Sequence, residues 1–291
     1  MIYRIRHKTS YLYAKPVDLA SHMFHLLPRA LPGQKVIAAA LSASPQAARL
    51  THAGDSFGNR VTWMSVDTPH ERFDVTLEAQ VDVLFPPPPE TTPPWEQVAA
   101  IARAGGPEGW EAAEFTFDSP MVPAEREAES YAAVSFPPGR PVLPGLLDLI
   151  ARIRRDFTFK AGVTEISTPV SKVMRQRAGV CQDFTHLMIA GLRGLGLPAR
   201  SVSGYLRTRP PPGQLPRRGA DQSHAWVGAW LGPEHGWVDL DPTNDLVVRD
   251  EHVVLAWGRD YGDVSPVRGV ILGGGAHTLE VGVDLEPVIM A

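Results

Sequence analysis

A cysteine, a histidine and an aspartate occur in this sequence in an order that could support nucleophilic acyl transfer. Cys181 is the only cysteine among the 291 residues, His224 opens a strand-like run, and Asp241 lies in the next such run. A thiolate can attack a carbonyl carbon, an imidazole can take up and return the proton, and a carboxylate can orient the imidazole. The three residue types therefore predict a thiol-dependent reaction at a carbonyl group.

The segment that carries Cys181 predicts an amphipathic helix that begins at the cysteine. Apolar residues recur with helical spacing from Phe184 to Leu195, and Cys181 lies three residues before Phe184 on the same stripe. Asp183 suits the first turn, where a carboxylate meets free backbone N–H groups. The helix dipole at that end favours the reactive thiolate. A lone cysteine is otherwise a small buried apolar residue in most chains, so the downstream residues decide between the two interpretations.

Two strands must bring the imidazole and the carboxylate together. Alternate side chains of a strand share one face, and a loop containing Gly and Pro between the two runs is typical of a hairpin. If Trp230 lies opposite Trp237, then Asp241 is diagonal to His224, whereas Asp239 lies further along the strand. This assumed register favours Asp241 over Asp239 as the residue that orients the imidazole.

An acyl-transfer site also needs hydrogen-bond donors for the oxyanion. The backbone N–H of Cys181 at the helix start is the first expected donor. For the second donor, three side chains remain alternatives: the amide of Gln182 and the indoles of Trp226 and Trp237.

The composition indicates a water-soluble globular protein. The chain is 44% hydrophobic and 21% charged, and its net charge of −4 gives no indication of a nucleic-acid partner. A single cysteine excludes an intrachain disulfide. The first residues, MIYRIRHKTSYLY, lack the continuous apolar core of a signal peptide or membrane span. We therefore expect a cytoplasmic protein that does not bind a membrane.

Composition shifts along the chain predict three segments. Alternating runs separated by turn signals predict a small all-β, sandwich-like domain over residues 1–85. The proline-rich run Pro86–Pro94 cannot continue a strand ladder and begins a linker with helical and loop parts over 86–139. Helical and then strand patterns follow over 140–291, which predicts an α+β core with a β-rich C-terminal part.

A basic, proline-rich loop at Arg209–Gly219 precedes the strand of His224. It has few side chains that could build a core. One interpretation is a tolerated surface insertion, and the other is a mobile rim that helps to select the substrate.

Residues 140–245 resemble the core of the transglutaminase-like superfamily, which has a papain-like α+β fold. The matching motifs are GVCQDFTHL, LGLPARSVSGYL, SHAWV and GWVDLDPTN. In that family the cysteine, the histidine of the HAW run and the aspartate just before Pro-Thr are catalytic, which implies the same roles for Cys181, His224 and Asp241. Residues 1–85 resemble the β domain that precedes this core in bacterial members, through YRIRHKTSYLY and FGNRV among other runs.

The resemblance leaves three functions open. Members of the family include peptidases and amidases, protein cross-linking enzymes and inert relatives. A cysteine peptidase or amidase that acts on a peptide or protein substrate is the first hypothesis. The alternatives are a protein-glutamine gamma-glutamyltransferase and a non-catalytic binding scaffold. The family chemistry requires no metal and no cofactor, so none is expected here.

Overall fold

Strands and helices segregate along the chain in the computed structural model, which describes residues 1–208 and 222–288. The predicted rim loop at Arg209–Gly219 lies outside the described residues. The first five elements are all strands: β1 (Ile2–Phe24), β2 (Gln34–Ser44), β3 (Arg49–Gly54), β4 (Arg60–Val66) and β5 (His70–Val83).

The middle of the chain is mainly helical. Its elements are α1 (Trp95–Ala104), α2 (Trp110–Ala113), α3 (Arg126–Ala133), α4 (Val142–Asp156), β6 (Thr158–Phe159), α5 (Val170–Gln176), β7 (Ala178–Gly179) and α6 (Cys181–Gly194). Among the described residues, no helix has both the length and the apolar character needed to cross a membrane.

The remaining elements are again mostly strands. They are β8 (Ala199–Leu206), β9 (Gln222–Trp230), β10 (Trp237–Asp241), β11 (Leu246–Val247), β12 (His252–Gly258), α7 (Tyr261–Val264), β13 (Val267–Gly273) and β14 (His277–Pro287). The predicted α+β class is therefore confirmed.

The N-terminal β region is a single curled sheet built on β1. The first half of β1 pairs with β5 and β14, and its second half pairs with β4 and β13. The pairing of β1 with β5 shifts register between Leu12 and Val17, near the point where β1 begins to pair with β4 and β13. The two halves share an apolar core in which the rings of Phe24 and Phe73 lie 6.4 Å apart. One curled sheet thus provides both layers of the sandwich-like arrangement.

The C-terminal strands β13 and β14 belong to this N-terminal sheet. Both pair with β1, and the turn between them runs through Gly273, Gly274 and Gly275, whose φ angles of 96°, 81° and 64° favour glycine. The predicted segment 140–291 had placed these strands with the core. Their sequence pattern shows that they are strands, but it does not show which sheet they join.

The core of the second half is an antiparallel five-stranded sheet covered by helices. The strand order is β11-β10-β9-β8-β12. Apolar residues of α4 and α6 pack against inward-facing residues of β9 and β10, among them Ile150, Leu187, Val227 and Leu240. The apolar stripe of α6 therefore fixes the helix, and with it Cys181, against the sheet.

The N-terminal sheet covers the exposed edge of β12. The side chain of Gln34 donates to the carbonyl of Val254 and accepts from its N–H, both at 2.8 Å. Asn59 does the same for Trp257, at 2.8 and 2.9 Å. Two side-chain amides thus satisfy edge groups that would otherwise be unpaired.

The close packing of α3 against α6 leads to a stability prediction at Gly191. A Cβ atom at this position would lie 2.8 Å from the Cβ of Ala132 and 2.9 Å from the carbonyl oxygen of Ala128. Gly191→Ala should lower the free energy of unfolding by about 1–3 kcal/mol, although alanine is the better helix former by about 1 kcal/mol. Denaturant unfolding measures the change.

The control for this substitution is Gly106→Ala, because no atom lies within 4 Å of a Cβ at Gly106. The free energy of unfolding of that variant should be unchanged or slightly higher. Equal stabilities for the two variants would contradict the packing argument.

Candidate active site

Cys181 is the first residue of α6, as the sequence predicts. Val180 before it is extended, with φ −117° and ψ −179°. The Oδ2 atom of Asp183 accepts hydrogen bonds from the backbone N–H of Val180 at 2.7 Å and from the hydroxyl of Thr164 at 2.6 Å. The carboxylate of the first turn thereby fixes the chain at the helix start. Cys181 as a residue is partly exposed.

The pairing of β9 with β10 has the register that the sequence analysis assumed. Trp237 pairs with Trp230, and Asp239 pairs with Gly228. As a result His224 Nε2 donates to Asp241 Oδ2 at 2.7 Å, and both side chains are buried. Asp239 points to a different partner, because its Oδ2 accepts from the indole N–H of Trp226 at 2.9 Å.

The carboxylate of Asp241 accepts hydrogen bonds at both oxygens. Oδ1 accepts from the backbone N–H groups of Thr243 and Asn244 at 2.9 and 3.2 Å. Oδ2 accepts from His224, from the side-chain amide of Asn244 at 2.7 Å and from His252 Nε2 at 3.1 Å. Burial alone would raise the pKa of Asp241, but the hydrogen bonds and charges of the two histidines outweigh burial and hold the pKa below its usual value.

Sequence reasoning missed His252. This residue opens β12 within the apolar run HVVLAW and is 1% exposed. A histidine in a fully buried apolar strand is unusual and was the one available signal. Its partner could not be predicted from the pattern, because β12 pairs with β8 and is not a neighbour of β10, the strand that carries Asp241.

His224 connects the carboxylate to the thiol. Its side chain is hydrogen-bonded to Asp241, and it lies close enough to Cys181 for the thiol to influence its pKa. Because Asp241 binds Nε2, Nδ1 is the ring nitrogen left for the thiol. Burial lowers the pKa of His224, but the hydrogen bonds and negative charges of Asp241 and Cys181 more than offset this and raise it to about 10. The imidazole is therefore held in its charged form at neutral pH.

Two of the three alternatives for the second oxyanion donor have other hydrogen-bond partners in the structure. The side-chain amide of Gln182 donates to the carbonyl of Ile166 at 2.9 Å, and the indole N–H of Trp226 is taken by Asp239. Both donors are thus already engaged with other acceptors. Trp237 packs with its ring 4.2 Å from the guanidinium carbon of Arg200.

The two histidines and Asp241 are also the described residues that could best hold a metal ion. The three ligand atoms lie within 4.8 Å of one another. Each of these atoms is already hydrogen-bonded within the cluster, and Asp241 Oδ2 alone accepts three hydrogen bonds. The donor set fits a hydrogen-bonded carboxylate better than a metal ligand.

The arrangement can carry out nucleophilic attack and proton transfer. A thiol lies at a helix start beside a charged imidazole, and a buried carboxylate fixes the imidazole from the other side. A thiol and an imidazole placed in this way can attack a carbonyl carbon through sulfur and then supply a proton to the leaving group.

Comparison with known proteins places the chain in a family. Residues 3–82 match the bacterial transglutaminase-like N-terminal region, and residues 141–242 match the transglutaminase-like superfamily. An uncharacterized protein of Mycobacterium bovis is 40% identical over 294 residues, which cover 98% of this chain and 92% of that protein. A protein-glutamine gamma-glutamyltransferase of Pseudomonas aeruginosa is 40% identical over 88 residues, which cover 30% of this chain and 13% of that protein.

A solved structure shares the fold over the whole chain. The crystal structure of a candidate cysteine protease from Cytophaga hutchinsonii superposes with a TM-score of 0.73 at 19% identity, covering 100% of this chain and 92% of that one. At this identity the likeness concerns the fold. Together with the two matched regions and the full-length relatives, it shows that the chain belongs to the transglutaminase-like superfamily.

Proposed function

We propose that the protein is a thiol-dependent hydrolase that cleaves amide bonds in peptide or protein substrates. The observation that carries this proposal is the placement of Cys181, at the start of α6, beside a buried His224 that is hydrogen-bonded to Asp241 at 2.7 Å. Burying an ionised carboxylate behind the imidazole costs free energy of folding. An arrangement with this cost is typical of sites where the imidazole must be oriented and charged for a reaction.

In the proposed reaction Cys181 attacks the amide carbonyl and forms a tetrahedral intermediate. The backbone N–H of Cys181 is one donor to its oxyanion. His224 then gives its proton to the amine, which leaves as the C–N bond breaks, and a thioester remains on Cys181. Water, deprotonated by His224, attacks the thioester and releases a carboxylic acid and the free thiol. Asp241 stabilises the charged imidazole throughout.

The second candidate is a protein-glutamine gamma-glutamyltransferase, in which a primary amine instead of water attacks the thioester. The similarity of 88 residues to the Pseudomonas aeruginosa enzyme of that name favours it. A non-catalytic scaffold is less well supported, because such a protein would have no need for the buried carboxylate and the charged imidazole beside its thiol.

The first test concerns the reactivity of Cys181. Because the charged imidazole stabilises the thiolate, iodoacetamide should label Cys181 at neutral pH at least about tenfold faster than free cysteine. His224→Ala should remove this advantage. Both proteins unfolded in denaturant serve as the control and should label at the rate of free cysteine. A wild-type thiol with the ordinary rate, or one that labels only after unfolding, would contradict the proposal.

The second test compares the two aspartates of β10. Asp241→Asn should lower turnover on the order of ten-thousand-fold, because an amide cannot stabilise the imidazolium. Asp239→Asn should cost far less, since Asp239 bonds Trp226 and not His224. In Asp241→Asn the pKa of His224 should also fall from about 10, because burial lowers it and only Cys181 is then left to oppose burial. Imidazole NMR measures that pKa. A larger loss of turnover in Asp239→Asn would assign the orienting role to Asp239.

The third test separates hydrolysis from amine transfer. The protein is incubated with glutamine-containing peptides and a fluorescent primary alkylamine, with Cys181→Ser as the control, and the products are identified by mass spectrometry. The hydrolase proposal predicts new carboxyl groups or cleaved peptide bonds and no amine adduct. An amine adduct with release of ammonia would establish the second candidate instead.

A further inference from the structure

A cavity of about 490 Å³ lies between the N-terminal region and the five-stranded sheet, and none of the three proposed catalytic residues lines it. Its walls are largely apolar and aromatic, formed by Phe85, the run Pro86–Pro89, Trp237 and Trp257. Ligand sites of this size are typically apolar with a few well-placed polar groups. The volume therefore suits a small organic molecule.

Arg200 is the buried cation in the cavity wall. It is only 7% exposed, and its guanidinium carbon lies 4.2 Å from the ring centre of Trp237 and 3.8 Å from that of Trp257. Both indoles thus pack closely against the guanidinium. Neither contact satisfies the N–H donors, which need an acceptor of their own.

The guanidinium lacks a direct anionic partner among the described residues. Its Nε atom is buried and has no hydrogen-bond partner. No carboxylate oxygen of a described residue lies within 4.0 Å of a guanidinium nitrogen, so Arg200 forms no ion pair there. Burial lowers the pKa of Arg200 to about 10, although the charge of Asp239 opposes the change. The side chain is still charged at neutral pH, and an unpaired buried charge is costly.

Asp239 balances this charge at a distance. Arg200 and Asp239 lie on either side of Gly228 in adjacent strands. A Cβ atom at Gly228 would lie 2.7 Å from Arg200 Nε and 3.1 Å from Asp239 Oδ1, so glycine leaves the space between them open. The hydrogen bond from Trp226 to Oδ2 holds Asp239 in place. The N–H edge of Arg200 is therefore not used by the carboxylate nearest to it.

We propose that this cavity binds a small carboxylate with an aromatic or apolar body. The carboxylate accepts hydrogen bonds from the edge of Arg200, whose planar fork matches the geometry of two carboxylate oxygens. The body of the ligand packs against the apolar wall formed by Phe85 and the run Pro86–Pro89. The site is distinct from the thiol centre, and its binding can be measured whether or not the protein is a hydrolase.

The test is calorimetric titration of the full chain with phenylacetate and with phenylacetamide, which has the same shape but no charge. Phenylacetate should bind at least about tenfold more tightly than phenylacetamide, because only the acid can pair with the guanidinium. Arg200→Met keeps much of the side-chain length and removes the charge, and it should abolish this preference.

Two further variants localise the binding. Val247→Phe narrows the cavity from its wall and should weaken the binding of both compounds. Arg29→Met is the matched control, because Arg29 stacks on Trp257 at 3.5 Å but does not line the cavity, and the preference for the acid should persist in it.

Equal affinity of the wild type for acid and amide would overturn the proposal, as would binding of neither compound. Retention of the acid preference in Arg200→Met would overturn it as well. The comparison of the two compounds on the wild type does not depend on any variant, so an unstable Arg200→Met protein would not prevent a decision.

Discussion

The charge of Asp241 is the constraint on which the candidate site depends. An ionised carboxylate with no solvent exposure is tolerated only if its oxygens accept enough hydrogen bonds. Here the donors come from β9, from the turn after β10 and from β12. The carboxylate is stable only if all of these donors reach it together. This requires the observed register of β9 and β10, the Asp-Pro-Thr-Asn turn, and β12 in its observed position. The geometry of His224 follows from the same requirement.

The N-terminal sheet supports this arrangement from outside the candidate site. Gln34 and Asn59 bind the free edge of β12, and His252 lies at the start of that strand. In addition, His7 is hydrogen-bonded to the hydroxyl of Tyr205 in β8 at 2.8 Å. The sheet that is most remote from the thiol in sequence thus helps to hold the two strands behind Asp241.

Much of the candidate site could be predicted from the sequence, because the patterns that place its three residues lie within short segments of the chain. Helical spacing placed Cys181 at the start of α6, and an assumed pairing of Trp230 with Trp237, which the structure has, put Asp241 beside His224. The rest depends on contacts between distant strands. The sequence pattern of an apolar strand such as β12 is the same whichever neighbouring strand it pairs with. The hydrogen bond from His252 to Asp241 could therefore not be predicted. The same holds for β13 and β14, whose patterns fit either sheet.

The pairing of β1 with β13 and β14 also determines when the N-terminal sheet can form. Ile5 pairs with Leu285, so these contacts close a loop that includes almost the whole described chain. Such high contact order slows folding, because the entropy of loop closure is lost before the strand pairs form. During synthesis β1 is complete long before β13 and β14 are made. Until these strands are present, one edge of β1 is unpaired and can pair with other chains. Chaperone binding to the growing chain would therefore protect it from aggregation until synthesis is complete.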